Sequence, residues 1–307
     1  MATLKLDKGA TITTFPLPPS GFDPLTASPG DLARFGFPQR PEDPRLLARY
    51  RSVFTRLKGK ARYIEPTFKV DTSKTTHIQP HNKQAATATA GTETSGNWSG
   101  GVVYAPAGQS FKWVQGEWVC PDVYAPTQNQ AYYNVSWIGI DGDGSGDVCQ
   151  AGMVCEVTNN SRQINPWHEW FPSSWVNITN LTVLPGDLIS MVICTAGAGA
   201  TSATISFANV SSGLSTSYTI TAPTGTKLVG NSAEWIVETP GINGQTAQMP
   251  DYGEVFFSNC EAGLTNGSTV NGGTGNNINL VQGGKTVSTG TLITPTIIQC
   301  QYTGAQP

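Results

Sequence analysis

The side chains able to do chemistry are few, and most of them are carboxyls. Glu234 sits inside the apolar run Ala233–Val237, a setting that favours a pocket over a solvated strand face. Glu238 follows four residues later, on the same face of a strand, and reads as a surface partner. Glu169 lies in Trp167-His168-Glu169-Trp170, and Asp141, Asp143 and Asp147 alternate with glycine and Ser145. Carboxyls of this kind suit general acid–base hydrolysis.

Other machinery is missing. His168 is the single histidine after residue 81, and no G-x-S-x-G elbow accompanies it. The motif H-E-x-x-H is absent, and the six cysteines lack the paired C-x-x-C spacing of a zinc cage. Counting from Asp141, the twelfth position is Gly152, where an EF-hand calcium loop needs a bidentate glutamate. That stretch therefore reads as a hydrogen-bonded turn. There is no Walker loop and no dinucleotide fingerprint, so neither cofactor nor metal is expected. Enzymatic work would fall to carboxyl and amide groups.

The elements that must position these groups fall into two regions of opposite charge. Residues 1–90 hold 14 Lys+Arg against 7 Asp+Glu, and residues 91–307 hold 4 against 14. A basic segment beside an acidic one suggests mutual attraction, and the acidic sign of the second argues against nucleic acid as a partner. With only Lys112, Arg162, Lys227 and Lys285 as strong bases, the second region can never become strongly cationic, as acid survival requires.

Residues 1–42 are proline-rich and read as an irregular arm. Asp43 as cap, Pro44 in the first turn and apolar spacing at Leu46, Leu47, Tyr50, Val53, Phe54 and Leu57 predict one helix over about 43–58. A polar, unpatterned linker over 71–97 offers a place for cleavage. Beyond it, short β-branched and aromatic runs alternate with turn residues. The clearest are Val102–Tyr104, Phe111–Val119, Tyr132–Ile140, Leu181–Leu184, Leu188–Thr195, Ala203–Val210, Ser215–Thr221, Glu234–Glu238, Val255–Ser258 and Thr296–Tyr302. They predict an all-β domain over 91–307, an antiparallel two-sheet β-sandwich of the concanavalin or jelly-roll kind.

Six cysteines, all after residue 119, suit disulfides in an oxidising compartment. Spacing favours Cys149–Cys155 and Cys260–Cys300, leaving Cys120 and Cys194. Seven N-x-S/T sequons, at Asn97, Asn134, Asn159, Asn177, Asn180, Asn209 and Asn266, also point mildly to secretion. The first residues lack the apolar core of a signal peptide, and no stretch has transmembrane length, so no membrane role is expected.

Five blocks in order carry a family likeness: Asn97-Trp98-Ser99-Gly100-Gly101, Ser136–Asp143, Val148-Cys149-Gln150-Ala151-Gly152, Trp167–Pro172 and Asn231–Glu238. Together they resemble the glutamic peptidases, the eqolisin family, over roughly Asn97 to Asn259. The resemblance implies an acid-active, secreted endopeptidase on a β-sandwich, with Gln150 and Glu234 as the catalytic pair. It implies that Trp98, Trp137, Asp141 and Glu169 line or support the substrate cleft. Cys149, His168 and Phe171 depart from the family's pattern, which implies altered subsites or pH profile.

The implied chemistry agrees with the missing histidines. A glutamate with a pKa near 4.3 is partly ionised in mild acid and can activate water. A glutamine amide can donate to the oxyanion at any pH. Residues 1–90 then read as a pro-segment that inhibits its own monomeric enzyme, with Arg45, Arg49, Arg56 and Lys58 against the acidic domain. The alternative is a carbohydrate-binding or glycoside-hydrolysing sandwich, with Glu234 and either Glu238 or Glu169 as paired carboxyls.

Overall fold

The computed structural model describes residues 2–76 and 91–306. The predicted cleavage region falls largely within 77–90, outside the described residues. The basic part contains β1 (Thr3–Lys5), β2 (Thr11–Thr14), α1 (Pro29–Arg34), α2 (Pro44–Leu57), β3 (Arg62–Tyr63), β4 (Phe68–Asp71) and β5 (Lys74–Thr75). The ends of the predicted linker form strands, β5 on one side and β6 (Thr92–Ser95) on the other; beyond it come β7 (Trp98–Tyr104), β8 (Phe111–Val119), β9 (Ala131–Ile140), β10 (Val148–Thr158), β11 (Ser161–Phe171) and β12 (Trp175–Ile178). Then follow β13 (Leu188–Thr195), β14 (Ser202–Asn209), β15 (Leu214–Thr221), β16 (Ser232–Glu238), β17 (Gly241–Ile242), β18 (Gln245–Thr246) and β19 (Glu254–Leu264). The chain ends with β20 (Thr269–Asn271), β21 (Asn276–Gln282), β22 (Lys285–Thr294) and β23 (Ile297–Tyr302).

The ladder runs β4-β12-β11-β10-β9-β16-β7-β21 through one sheet. It continues through β22-β23-β19-β8-β13-β14-β15-β2-β1 in the other. All these pairs are antiparallel; β3 on β15 and β6 on β21 are parallel. The architecture is the expected antiparallel sandwich. Its main core lies between the layers, with Ile138, Ala151, Met153 and Trp235 of one sheet among Val114, Trp118, Met191 and Ile193 of the other. A second apolar cluster, Trp98, Val102, Val135, Trp137, Trp167, Trp175 and Ile236, covers the opposite face of the first sheet.

The helix forms as its signals predicted. Asp43 Oδ1 accepts from the backbone N–H groups of Arg45 (2.9 Å) and Leu46 (3.0 Å), and α2 buries Leu46, Tyr50 and Leu57. The basic arm is more ordered than expected, with a second helix, α1, capped by Ser28. Its strands β2 and β4 extend the two sheets at β15 and β12. Leu181–Leu184 is not a strand, although Leu181 and Val183 are buried.

The expected Cys149–Cys155 bridge is ruled out by geometry. Both residues lie on β10, six positions apart, hence about 20 Å along one strand. Cys155 Sγ instead lies 3.9 Å from Cys120 Sγ, while Cys260 and Cys300 are buried thiols on the paired strands β19 and β23.

Close packing of β10 on β9 requires glycine at 152, where a Cβ would stand 2.1 Å from the Ser136 carbonyl oxygen and 2.6 Å from Trp137 Cβ. Gly152→Ala is expected to destabilise the protein by about 2–4 kcal/mol in urea unfolding. Gly146, where an added Cβ meets nothing within 4 Å, serves as the control, its alanine variant staying within about 0.5 kcal/mol of the parent. Equal midpoints for the two variants would refute the packing argument.

Candidate active site

Register brings the predicted residues onto one face of the first sheet. Glu169 of β11 faces Gln150 of β10, Gln150 faces Gly139 of β9, and Gly139 faces Glu234 of β16. Residues opposite each other on neighbouring antiparallel strands point to the same side. Along the same face, Gly152, Trp137 and Ile236 form the next row, and Val135, Glu238 and Trp98 the one after.

Contact does not follow the rows. Gln150 and Glu234 flank Gly139 about 10 Å apart at the backbone, one strand between them. The Trp137 ring fills the space above that glycine, where a Cβ would meet Trp137 Cζ3 at 2.8 Å and Gln150 Cβ at 3.3 Å. Trp137 then reaches Glu238: its Nε1 donates to Glu238 Oε2 at 2.8 Å, and Asn97 Nδ2 donates to Oε1 at 2.9 Å. Trp98 packs edge-on against Trp137, ring centroids 5.1 Å apart.

Gln150 belongs to the same group. Its Nε2 donates to Glu169 Oε2 at 3.1 Å and to the Thr76 hydroxyl. Thr76 is wholly buried, at the end of the described N-terminal segment. Its hydroxyl donates to Glu169 Oε2, its N–H donates to the same oxygen at 3.2 Å, and its carbonyl accepts from Asn97 Nδ2 at 3.2 Å. Thr76 thus lies between the Gln150–Glu169 pair and the Asn97–Glu238 pair, its preceding strand β5 paired with β17.

Glu234 lies apart from this group. It is fully buried, and its charged neighbours are Asp143 and Asp141. Asp141 does not face the cleft: its carboxylate accepts from the backbone N–H groups of Val229, Gly230 and Asn231 at 2.7–2.9 Å. It anchors the loop leading into β16, and the turn expected over Asp141–Asp147 closes through the Gly142 N–H donating to Ser145 Oγ at 2.8 Å. His168 is likewise structural, its Nδ1 3.0 Å from the Tyr218 hydroxyl beneath Phe68, and burial lowers its pKa to about 3.

Thus the expected set divides. Gln150, Glu169, Trp137 and Trp98 come together, Asp141 supports from behind, and Glu234 points into a separate carboxyl cluster. Glu238, read as a surface residue, is fully buried at the centre of the site. A hint lay in its place on the strand face of Glu234, but the register that puts Trp137 beside it is not readable from one strand.

Burial raises the pKa of every carboxyl here. Glu169 rises to about 7 despite hydrogen bonds from Thr76, Thr75 and Gln150. Glu238 is raised by burial, eased by Trp137 and pushed further by Glu169. Glu234 is raised by burial, with relief from Ser232 and added pressure from Asp143 and Asp141. Asp141 rises to about 6, burial outweighing its three backbone donors. An amide donor, buried carboxyls and tryptophan walls on one sheet face define a site for hydrolysis without metal-ligating clusters among the described residues.

Residues 96–302 match the profile of the Peptidase A4 family. The chain belongs to that family and is a glutamic endopeptidase of the eqolisin type. It is 29% identical over 196 residues to aspergillopepsin-2 of Aspergillus niger, covering 58% of this chain and 67% of that protein. To scytalidopepsin B of Scytalidium lignicola it is 24% identical over 144 residues, 46% of this chain and 51% of that one. The crystal structure of scytalido-glutamic peptidase with a transition state analog inhibitor matches with TM-score 0.59 at 20% identity, over 67% of this chain and 98% of that chain. Aspergilloglutamic peptidase from Aspergillus niger matches with TM-score 0.52 at 25% identity, over 56% of this chain and 99% of that chain. Family membership sets aside the carbohydrate-active alternative.

The raised carboxyls set the pH dependence of stability. A carboxyl whose folded pKa exceeds its unfolded value stabilises fully below the unfolded value, and that stability is lost as pH rises through the folded one. Asp141, moved from 3.8 to about 6, and Glu169, moved from 4.5 to about 7, each forfeit up to about 3 kcal/mol between pH 4 and 7. Glu234 and Glu238 act in the same direction, and His168, with its lowered pKa, acts in the other. The four carboxyls outweigh the one imidazole, so thermal unfolding is expected at lower temperature at pH 8 than at pH 4. Glu169→Gln should shrink the difference; a melting temperature that climbs with pH would contradict the assignment.

Proposed function

We propose that Gln150 and Glu238 form the catalytic pair of this endopeptidase, and that Glu238 takes the role first read into Glu234. The observation that carries this is Thr76, a backbone residue of the chain itself. It is held like a bound peptide between the Gln150 amide and the Asn97–Glu238 pair. Glu238 takes a proton from water, whose oxygen attacks the substrate carbonyl. Gln150 Nε2 donates to the oxyanion, and Glu238 then returns the proton to the departing amine. Trp137 and Asn97 hold the two oxygens of Glu238 in place. Glu169, protonated or not, orients Gln150.

Residues 1–90 act as an intramolecular inhibitor. Thr76 fills the site, and α2 is tied to the domain through Arg45 and Arg49 on Glu261 and Arg56 on Glu117. Lys58, expected to join these contacts, pairs instead with Asp23 at 4.0 Å within the segment. Acid suits the exposed glutamate, which returns toward its ordinary pKa near 4.3 once water replaces Thr76. The substrates are proteins and peptides in an acidic extracellular setting, cut by a pepstatin-insensitive monomer.

The test uses full-length protein matured at about pH 3.5, with a denatured protein substrate and pepstatin present. Glu238→Gln should lose activity by a thousandfold or more, and Gln150→Ala should lose about 10²–10³-fold, the usual effect of removing one oxyanion donor. Glu234→Gln should stay within tenfold of the parent. If Glu234→Gln is silent while Glu238→Gln cleaves, the pair is Gln150 with Glu234.

A further inference from the structure

The ion pairs that tie α2 to the domain lie on the face of the protein opposite the site that Thr76 fills. In β8, Val114 and Trp118 enter the core, while Gln115 and Glu117 alternate with them on the outer face. Glu261 is fully buried there, with Gln115 Nε2 donating to Oε2 at 3.2 Å, and Asn259 Nδ2 donates to Glu117 Oε2 at 2.8 Å. Among the described residues, no Lys or Arg of 91–306 pairs with either carboxylate. Their cations come from α2: Arg45 and Arg49 on Glu261, and Arg56 on Glu117 at 2.5 Å. Around these pairs, a cavity of about 630 Å³ lies between Tyr50 and Phe54 of α2 and Trp113 and Met191 beneath.

The same segment closes two open sheet edges. β2 pairs with β15 from Ile12 opposite Ile220 to Thr14 opposite Tyr218, and β4 pairs with β12 from Phe68 opposite Ile178 to Asp71 opposite Trp175. Unpaired strand edges and buried carboxylates without cations are both unfavourable, so the surface is incomplete without this occupant.

We infer that the outer face of β8 and β19, with the edges of β12 and β15, is a binding site for residues 2–76 as a separate chain. A cut within 77–90 then yields a two-chain latent complex and not a free enzyme. Holding and blocking are separate functions: α2 and the edge strands hold, and Thr76 blocks. The blocking half rests on the catalytic reading above; the holding half does not.

A recognition sequence for a site-specific protease, inserted between residues 80 and 81 of the full chain, allows the cut at neutral pH. Glu238→Gln in the same chain prevents self-cleavage. Both fragments are expected to co-elute from a sizing column at the mass of the uncut protein. Arg45→Ala/Arg49→Ala/Arg56→Ala should speed fragment loss at least tenfold, its fold checked by melting before the cut. Should the triple variant not fold, Arg56→Ala alone, compared in low and high salt, reads the same contact. Thr76→Val should leave retention unchanged.

Separation of the wild-type fragments at neutral pH overturns the inference, as does equal retention of the alanine variants. With Glu238 restored, cut Thr76→Val protein should cleave peptide where the cut parent is silent. Continued silence, even after acid has stripped the fragment away, would refute the catalytic reading and leave the two-chain result standing.

Discussion

Carboxyl groups buried without cations constrain everything else in this protein. Asp141, Glu169, Glu234 and Glu238 are all within the interior, and the region that contains them has four Lys and Arg residues in all. An ionised carboxylate is costly to bury, and a guanidinium beside it would fix it in the charged form. This chain meets the difficulty with neutral donors and with protons. Asp141 takes three backbone N–H groups, Glu238 an indole and an amide, and Glu169 a hydroxyl and an amide. Each carboxyl therefore remains able to change its protonation state, which acid–base chemistry requires. The scarcity of bases is as much a condition of the site as an adaptation of the surface.

Neutral donors must be aimed, and the sheet does the aiming. β9, β10 and β16 are buried on both faces, so their side chains cannot turn aside into solvent. Trp137 carries the arrangement. Its ring occupies the place a side chain at Gly139 would take, and its N–H fixes one oxygen of Glu238. A larger residue at 139 or 152 would displace the indole, and with it both the Gln150 side chain and the glutamate. The site is thus built by absence of side chains in one row and excess of ring in the next.

Burial on both faces also decides what the sequence could disclose. Strands with one wet face, such as β8 and β14, alternate and were legible. The run Val148–Thr158 that carries Gln150 is buried on both faces over most of its length, and Val148, Gly152 and Val154 interrupt the side that bears Gln150, Glu156 and Thr158, so its alternation is too weak to mark a strand. The helix was legible to within a residue because its cap, proline and apolar stripe are local signals. The arm's strands are two to four residues long and gain their order from pairing with β12 and β15, a long-range effect that leaves no period. In the site, the ordered motif blocks located Gln150, Glu169 and the tryptophans. The proposed preference for Glu238 over Glu234 turns on which one the Trp137 ring separates from Gln150, a question of register and ring placement across three strands. An apolar flank is a poor guide there, because both glutamates have one.

The latent state follows from the same physics on the proposed assignment. Beneath Thr76, Glu238 is dry and its pKa stands well above that of a glutamate in water, so it holds its proton and cannot serve as a base. On that assignment the segment disables the site twice, by filling it and by burying Glu238. A substrate strand entering the same place brings its own carbonyl to Gln150, but it must also admit one water molecule, which Thr76 does not: its hydroxyl already donates to Glu169 and accepts from Gln150. Occupancy of the Gln150 amide by a hydroxyl, where a substrate would place its carbonyl oxygen, is what distinguishes the inhibitor from a substrate along a single backbone path.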